Sequence, residues 1–317
     1  MLKRLLALLM AAMMIGLLCP ALAEESAEDG AFPPLNEAGF LDEGEFLFED
    51  AEAGVWRYAG QTLRVEIIRR TQEKPKQIWY EAEVWSRDGD AFRMIANNPE
   101  KRMKSQEYPY KIARKNRTVL AINSDFAQLR ITQKKRVGIL LRDGEILSDR
   151  TLAKNKGTFP NLDTLALFPD GDMQVFYSDE KTAEEYVEMG ALDVLAFGPL
   201  LIRDGELNEA GLKKYGTSSA QRTAIGMVEK GHYFAMMLEG RHTNSRGAGI
   251  SFLAERLLEK GCTVAFNLDG GQTSTIVFMG HQLCQIGKTK RNASSRKTAE
   301  ILGIGTSDLV RALDDPW

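Results

Sequence analysis

The residues best suited to chemistry lie together in residues 263–279, which read TVAFNLDGGQTSTIVFM. An apolar run typical of a strand turns polar at Asn267 and Asp269, breaks at Gly270-Gly271 and resumes as a second strand-like run from Thr273. Because side chains alternate along a strand, Asn267 and Asp269 are expected on the same face. The carboxylate, the amide, the bare glycine backbone and the hydroxyls of 273–275 suit a sugar or phosphate ligand.

A simpler interpretation of Asp269 is a turn. Asp-Gly between two apolar runs is a strong hairpin signal, because both residues tolerate positive φ. Residues 55–317 contain five Asp-Gly dipeptides, which begin at Asp88, Asp143, Asp170, Asp204 and Asp269. Only the last is followed by a second glycine and three hydroxyl residues, which favours a functional role for it.

A second strand ends in the same way. The run VLAINSDF at 119–126 ends in Asn123 and Asp125, separated by one residue as are Asn267 and Asp269. Two such strands could bring two carboxylates to one cleft, as acid/base or nucleophilic chemistry on a sugar requires. The alternative is that two Asx turns close two ordinary strands.

Charged residues flank a predicted hairpin over residues 221–241. Arg222 opens its first strand, Lys230-Gly231 forms the turn, and Glu239 and Arg241 close the second strand. Antiparallel pairing would set Arg222 near Glu239 or Arg241. Two guanidinium groups there could bind phosphate in bidentate fashion, whereas the alternative is a surface ion pair of under about 1 kcal/mol.

Two further segments are polar or basic. The loop 242–249, which contains Ser245, leads into the clearest helix, whose first N–H groups could bind an anion unless Ser245 or Ser251 caps it. Residues 288–297 are basic, and either Arg296 supplies a second phosphate contact or the segment is a solvated loop.

Strands are predicted to dominate the elements that position these residues. Alternating or β-branched runs predict strands over 62–69, 79–85 and 118–122, and Asp-Gly turns predict hairpins over 140–147 and 201–207. Helices are predicted over 181–191 and 248–260, the latter with Ile250, Leu253, Leu257 and Leu258 on one face and Gly261 at its end. We expect an α/β protein of the α+β type: one large domain with a mixed, mostly antiparallel sheet core and a few packed helices.

The N-terminal residues predict export. Residues 1–23 combine Lys3 and Arg4, an apolar run and Ala21-Leu22-Ala23, which is typical of a cleaved secretory signal peptide, although an uncleaved anchor is the alternative. We therefore expect a secreted or cell-envelope location with no stable membrane span after cleavage near Ala23. Residues 24–54 are acidic and predict a linker or arm, and the compact domain is expected over 55–317.

Charge and cysteine content limit the partners. Without Lys3 and Arg4 the 41 basic residues fall to 39 against 44 acidic ones, a net charge of −5, which argues against nucleic acid as a partner. Cys262 and Cys284 could form a disulfide or remain buried thiols. With three histidines and no Cys/His cluster, a structural zinc site is not expected, and no cofactor is certain. A divalent cation between carboxylates stays an open possibility, so metal ligands are unknown.

Several of these motifs occur together and in order: AINSDF at 121–126, FGPLL at 197–201, RTAIG at 222–226, EGR at 239–241 and NLDGG at 267–271. In this the chain resembles the phosphodiester glycosidase family over about residues 62–306. The resemblance implies hydrolysis of a sugar-1-phosphodiester such as one of N-acetylglucosamine, on a cell-surface or extracellular glycan, with relatives linked to exopolysaccharide. Carried over to this chain, it implies a site of these residues: Asn123, Asp125, Arg222, Glu239, Arg241, Asn267, Asp269, Gly270, Gly271 and Ser274.

We expect Asp269 as nucleophile or base, Asp125 as a supporting carboxylate and Glu239 as a third catalytic residue. Arg222 with Arg241 is expected as the phosphate clamp, and Ser245 as a further substrate or phosphate contact. Asn123 and Asn267 are expected to bind sugar hydroxyls. The chain departs from the family pattern at Gln272 and Thr273, where the family often has a third glycine and a serine; an Asp is common at Glu239 and a Gly at Ser124. Gln272 favours one alternative, a non-catalytic cell-wall or exopolysaccharide-binding module on the same fold. Another alternative is a metal-dependent phosphodiesterase that cuts the P–O bond.

Overall fold

The computed structural model describes residues 30–124, 126, 137–151, 162–215, 218–286 and 295–315. The expected signal peptide and Asp125 lie outside these ranges. Contacts group Pro34–Trp317 into one compact unit, with Met1–Pro33 as a separate unit. Among the helices in the described part of the chain, none has the length and apolar character of a membrane span. Strands hold 43% of the residues and helices 13%, so the predicted α+β type with a dominant sheet is confirmed.

The largest layer is a nine-stranded antiparallel sheet. In spatial order its strands are β1 (Phe46–Asp50), β2 (Val55–Ala59), β3 (Leu63–Glu73), β4 (Lys76–Ser86), β15 (His232–Leu238), β14 (Arg222–Glu229), β16 (Val264–Asn267), β12 (Leu200–Arg203) and β13 (Glu206–Leu207). The sheet begins before Val55, the expected start of the compact domain. Its edge strand β1 lies within residues 24–54, the predicted linker or arm, and pairs with β2 from Phe46↔Ala59 to Asp50↔Val55.

The described residues also form two five-stranded sheets. One contains β10 (Met173–Phe176), β9 (Asp163–Leu167), β11 (Asp193–Phe197), β7 (Gly138–Arg142) and β8 (Glu145–Arg150). The other contains β18 (His281–Gln282), β17 (Ile276–Phe278), β6 (Thr118–Asn123), β19 (Glu300–Thr306) and β5 (Arg93–Ala96).

In the described ranges four short α-helices pack on the sheets: α1 (Pro109–Lys115), α2 (Ala183–Glu188), α3 (Glu209–Tyr215) and α4 (Ser251–Glu259). Two 3-10 turns cover Arg102–Lys104 and Gly271–Thr273. The predicted helix 181–191 shortens to α2, whose capping box joins Thr182 and Glu185. The predicted helix 248–260 shortens to α4, and Leu258 is 36% exposed rather than on the buried face.

The main hydrophobic core lies between the sheets. One face of the nine-stranded sheet contributes Ile67 and Ile225, and the smaller sheets contribute Leu120 and Leu165. The opposite face is covered by α4, whose Leu253 and Leu257 pack on Phe234 and Met236. Cys284 belongs to the first core and Cys262 to the second, so the two thiols are free and buried on opposite faces.

The two hairpins predicted from Asp143-Gly144 and Asp204-Gly205 are confirmed, whereas Asp269-Gly270 does not form a hairpin turn. Asp143 and Asp204 have φ of 52° and 55° and are followed by glycines with φ of 76° and 78°, as a type I′ turn requires. Gly270 instead has an extended φ of −98°. The second strand expected from Thr273 begins at Ile276, and it lies in a different sheet from β16, so residues 263–279 are not a hairpin.

Candidate active site

Residues 268–275, hereafter the site loop, cross from one layer to another. The loop follows β16 of the nine-stranded sheet and leads into β17 of a five-stranded sheet. The start of β14 holds the loop from one side, because the Leu268 amide donates to the Thr223 carbonyl at 2.9 Å and the Gly271 amide donates to the Gln221 carbonyl at 3.0 Å. These backbone bonds fix the loop beside the first residues of β14.

Asn123, at the end of β6, holds the same loop from the other side. Its Nδ2 donates to the Asp269 carbonyl at 2.8 Å, and its Oδ1 accepts from the Thr275 amide at 3.0 Å. A third bond joins Nδ2 to the Ser124 carbonyl at 3.0 Å, and the residue is fully buried. The amide is therefore occupied by backbone groups, which argues against the expected contact with a sugar hydroxyl.

Asn267 is only partly satisfied. Its Nδ2 donates to the Gly198 carbonyl at 2.8 Å, whereas its buried Oδ1 has no hydrogen-bond partner among the residues that the structure describes. The loop that carries Gly198 is itself held by Asp163, whose Oδ2 accepts from the Leu200 amide at 3.0 Å. Asn267 thus retains one free acceptor. Ser274 is similar, since its Oγ is fully buried and unpartnered.

The two glycines of the site loop lie against two arginines. A methyl group placed on Gly270 would be 3.5 Å from Arg222 Nη1, and one placed on Gly271 would be 3.3 Å from Arg241 Nη1. Gly271 also has a φ of 69°, a conformation that side chains rarely adopt. The predicted hairpin explains the arrangement, because Arg222 pairs with Leu238 and so starts β14 where β15 ends.

Arg222 is anchored to backbone and hydroxyl oxygens. Its Nε donates to the Ala248 carbonyl at 3.3 Å, and its Nη2 donates to the Ser218 carbonyl and hydroxyl at 2.7 and 3.0 Å. Burial, together with the charge of Arg241, lowers the pKa of Arg222 to about 10. In the part of the chain that the structure describes, neither Arg222 nor Arg241 pairs with a carboxylate, so their positive charge suits an anionic ligand.

Asp269 directly precedes the two glycines in the site loop and is 8% exposed. Its Oδ2 is 3.9 Å from Arg296 Nη1, which donates to Thr273 Oγ1 at 2.8 Å. The Arg296 amide also donates to the Gln272 carbonyl at 3.2 Å. Of the two possibilities for the basic segment, a solvated loop is therefore wrong for Arg296, which contacts the site loop. The Gln272 side chain is buried, not projecting into an open cleft.

Glu239 follows β15 and is 2% exposed. Its Oε1 accepts from Tyr80 Oη at 3.2 Å and from the Gln285 amide at 2.6 Å, and its Oε2 is 3.0 Å from His242 Nε2. Burial raises the pKa of this carboxyl, although the Gln285 amide and His242 act in the opposite direction. Glu239 is therefore enclosed by the groups that it binds. It does not contact Arg222, which the predicted hairpin placed near Glu239 or Arg241.

Ser245 also connects elements. Its Oγ donates to the Glu239 carbonyl at 2.8 Å and accepts from the Ile78 amide at 3.1 Å, so the hydroxyl fastens the 242–247 turn to β4. Neither Ser245 nor Ser251 caps α4, whose N-cap is Ile250 without a side-chain bond. The helix N-terminus expected as an anion site thus has no polar cap.

The structure brings together most of the predicted residues around the site loop: Asn123, Arg222, Arg241, Asn267, Asp269, Gly270, Gly271 and Ser274. Asp125 lies outside the described residues. Sequence reasoning missed Tyr80 and His242, the partners of Glu239. Tyr80 carries no local signal because a tyrosine in an alternating strand is typical of core. Among described residues, no group of three or more His, Cys, Asp or Glu side chains could hold a metal ion.

Comparison with known proteins gives the family. The model of the phosphodiester glycosidase family matches residues 116–305, more than half of the chain. A prophage-derived uncharacterized protein of Bacillus subtilis is 27% identical over 184 residues, which cover 57% of this chain and 28% of that protein. The human N-acetylglucosamine-1-phosphodiester alpha-N-acetylglucosaminidase is 27% identical over 150 residues, 43% of this chain and 29% of that enzyme. The matches thus span less than a third of either relative.

Solved structures agree in fold. The catalytic domain of zebrafish N-acetylglucosamine-1-phosphodiester alpha-N-acetylglucosaminidase, auto-inhibited by its pro-peptide, superposes with a TM-score of 0.60 at 16% identity, covering 78% of this chain and 85% of that one. A hypothetical protein from Synechocystis gives a TM-score of 0.50 at 13% identity, covering 77% of this chain and 62% of that one. The ordered motifs, the matching fold and the family match over residues 116–305 agree: this chain belongs to the phosphodiester glycosidase family.

Proposed function

We propose that this protein is a hydrolase that cleaves a sugar-1-phosphodiester at the anomeric C–O bond, releasing free sugar and a phosphomonoester. One observation carries the proposal. Two guanidinium groups without a described carboxylate partner, Arg222 and Arg241, lie against the bare backbone of Gly270-Gly271, directly after Asp269. A cationic surface next to a carboxylate matches a substrate with an anionic phosphate beside a sugar carbon.

Arg222 and Arg241 form the phosphate clamp. Guanidinium groups offer parallel N–H donors that match phosphate oxygens, and the missing side chains at Gly270 and Gly271 let those oxygens approach the backbone. Arg222 is held in place by Ser218 and Ala248, so its orientation is set before the substrate arrives. As the C–O bond breaks, its electron pair passes to the phosphate oxygen, and the clamp stabilises the negative charge that develops there.

Asp269 acts on the sugar side of the scissile bond, as nucleophile or base. A carboxylate stabilises the developing oxocarbenium ion, and water supplies the oxygen that bonds to the anomeric carbon. The water proton passes to a carboxylate and then to solvent. Because a phosphomonoester is a good leaving group, a strong general acid is less necessary than for an alkyl glycoside. Asp125 is proposed as the supporting carboxylate.

The substrate is proposed to be a cell-surface or extracellular glycan reached after export. The export proposal rests on the basic and apolar residues of 1–23 and the small residues that end at Ala23. N-acetylglucosamine is the first sugar to test, because the human relative's name specifies it.

Hydrolysis in ¹⁸O-labelled water tests the bond that is cleaved. The purified protein is incubated with a panel of sugar-1-phosphodiesters, including nucleotide sugars, with and without EDTA. Cleavage of C–O places ¹⁸O on the sugar. Cleavage of either P–O ester bond places it on phosphate instead, and releases unlabelled sugar or sugar 1-phosphate according to which bond breaks. We expect label on the sugar, and label on phosphate would instead indicate a phosphodiesterase.

Two aspartate variants complete the test. Asp269→Asn is expected to abolish turnover with an unchanged melting temperature. Asp204→Asn is the matched control, because it makes the same change in another Asp-Gly dipeptide, at a turn where Asn tolerates the φ of 55°. Full activity in Asp269→Asn would refute the assignment. No turnover by the wild type, with saturable binding of a polysaccharide, would favour the non-catalytic binding module.

A further inference from the structure

Three arginines from separate segments contact successive residues of the site loop. Arg222 lies beside Gly270, Arg241 lies beside Gly271, and Arg296 contacts Gln272 and Thr273. The three contacts follow the loop in chain order, although the arginines lie at the start of β14, after β15 and before β19. Arg296 has no role in the phosphate clamp proposed above.

The contacts of Arg296 differ in kind from those of the other two. One nitrogen, Nη1, donates to Thr273 Oγ1 at 2.8 Å and lies 3.9 Å from Asp269 Oδ2. The backbone amide of the same residue donates to the Gln272 carbonyl at 3.2 Å. Arg296 is thus fixed to the loop at both its backbone and its side chain. It is the one arginine of the three with a carboxylate among its described contacts.

This contact has little reason to exist for stability alone. The two groups are 3.9 Å apart, at the long limit for an ion pair, and the Arg296 side chain is 35% exposed to solvent, so we expect a small contribution to folding. The orientation of a reacting carboxylate matters far more, because a small misplacement of a catalytic group can slow a reaction about a hundredfold. A bound phosphodiester would also repel an anionic Asp269, and a guanidinium beside that carboxylate offsets the repulsion.

We infer that Arg296 is a positioning residue, which holds the Asp269 carboxylate and the site loop in the reactive arrangement and does not bind the phosphate. The inference rests on the proposed function, in which Asp269 reacts at the anomeric carbon. It separates the three arginines into a phosphate clamp, Arg222 and Arg241, and a support for the carboxylate, Arg296.

Steady-state kinetics on a sugar-1-phosphodiester distinguish these roles. Arg296→Gln is expected to lower kcat about 10- to 100-fold with KM changed by less than about threefold, and Arg296→Lys is expected to recover part of the loss. Arg241→Gln, which removes a clamp residue, is expected to raise KM as well. Lys297→Gln is the matched control, because it removes the neighbouring positive charge, which pairs with Glu107 at 3.2 Å instead of with Asp269. An increase in KM alone in Arg296→Gln, or unchanged kinetics, would overturn the inference.

Hydrogen exchange provides a readout that needs no turnover. If Arg296 fixes the site loop, a peptide that covers residues 268–275 exchanges faster in Arg296→Gln than in the wild type, and Lys297→Gln leaves its exchange unchanged. Equal exchange in all three proteins would refute the positioning role. A wild type that hydrolyses nothing on the panel, with faster exchange in Arg296→Gln, would count against the proposed function while retaining the contact between Arg296 and the loop.

Discussion

At the scale of single residues, Gly271 combines two constraints that a side chain cannot meet. Its φ of 69° disfavours any residue with a Cβ, and a methyl group there would lie 3.3 Å from Arg241 Nη1. We predict that Gly271→Ala lowers the free energy of unfolding by about 1–2 kcal/mol. It should also displace Arg241 and lower kcat/KM at least roughly tenfold. Urea denaturation and kinetics on the same preparation measure both effects.

Gly144→Ala separates the two constraints. Gly144 has a φ of 76° and no atom within 4 Å of an added methyl group, so it shares the backbone cost without the neighbour. Similar destabilisation of both variants, with activity lost only in Gly271→Ala, is the expected pattern. Equal loss of activity in both would mean that strain, and not the position of Arg241, accounts for the defect.

Glu239 predicts a pH-dependent stability. Burial raises the pKa of its carboxyl above the ordinary value of 4.5. Below that value the residue is protonated in both the folded and the unfolded state. As the pH rises, the unfolded state ionises first, so folding stability is lost progressively as the pH passes through the folded-state pKa. Glu239→Gln has no proton to lose and should escape this loss.

Urea denaturation between pH 4 and pH 8 tests the prediction. The advantage of Glu239→Gln over the wild type should be smallest near pH 4 and should grow with pH. Gln can still accept from the Gln285 amide and Tyr80 through its oxygen, so the main bonds are kept. A deficit of the variant relative to the wild type that grows with pH would show instead that the ionised carboxylate stabilises the fold.

Sequence reasoning identified the types of the site residues better than their roles. Arg222, Arg241 and Asp269 could be chosen because guanidinium and carboxylate groups have few alternatives to electrostatic roles. The sugar-binding role expected of Asn123 does not agree with its backbone contacts, because an amide serves a sugar hydroxyl or two backbone groups equally well. Its partners, Asp269 and Thr275, are more than a hundred residues away. Arg296 was ambiguous for the same reason.

At the scale of elements, α4 has two adjacent leucines with opposite environments. Leu257 is fully buried between the helix and the nine-stranded sheet, whereas Leu258 is 36% exposed. We predict that Leu257→Ala lowers the free energy of unfolding by about 2–5 kcal/mol, because it leaves a cavity, and that Leu258→Ala costs less than about 1 kcal/mol. Chemical denaturation measures both. Equal costs would mean that α4 is oriented differently on the sheet.

Hairpins whose turn is determined by two adjacent residues could be predicted from the sequence, whereas pairings between strands far apart in the sequence could not. The hairpins of β7 with β8 and of β12 with β13 follow from Asp143-Gly144 and Asp204-Gly205, where two residues determine the turn. The separation of β16 and β17 into different sheets has no local signal. It depends on pairings with β14 and β6, which lie far away in the sequence.

At the scale of the whole molecule, the candidate site lies where two sheets meet. Asn123, from a five-stranded sheet, bonds to the loop that leaves the nine-stranded sheet. We predict that Asn123→Ala lowers kcat about 10- to 100-fold with KM changed by less than about threefold, because the Asp269 backbone loses its support. The substitution also leaves the buried Asp269 carbonyl and Thr275 amide without their partner, which should lower the free energy of unfolding by about 1–3 kcal/mol.

Asn116→Ala is the control for stability. Its Nδ2 donates to the Ile112 carbonyl at 2.8 Å at the end of α1, so its loss affects a helix end without touching the site loop. It should lower stability and leave kcat unchanged. A raised KM with full kcat in Asn123→Ala would restore the original expectation that this amide binds a sugar hydroxyl.

The order of the strands around β19 has a consequence for the biosynthesis of the protein. β19, at Glu300–Thr306, is inserted between β6 and β5, which lie about two hundred residues earlier in the sequence. Among the described strands β5 pairs only with β19, so it has no partner in its sheet until about two hundred further residues have been synthesised. This sheet therefore closes only after the residues between β5 and β19 have been made, and these include the strands β12 to β16 of the nine-stranded sheet.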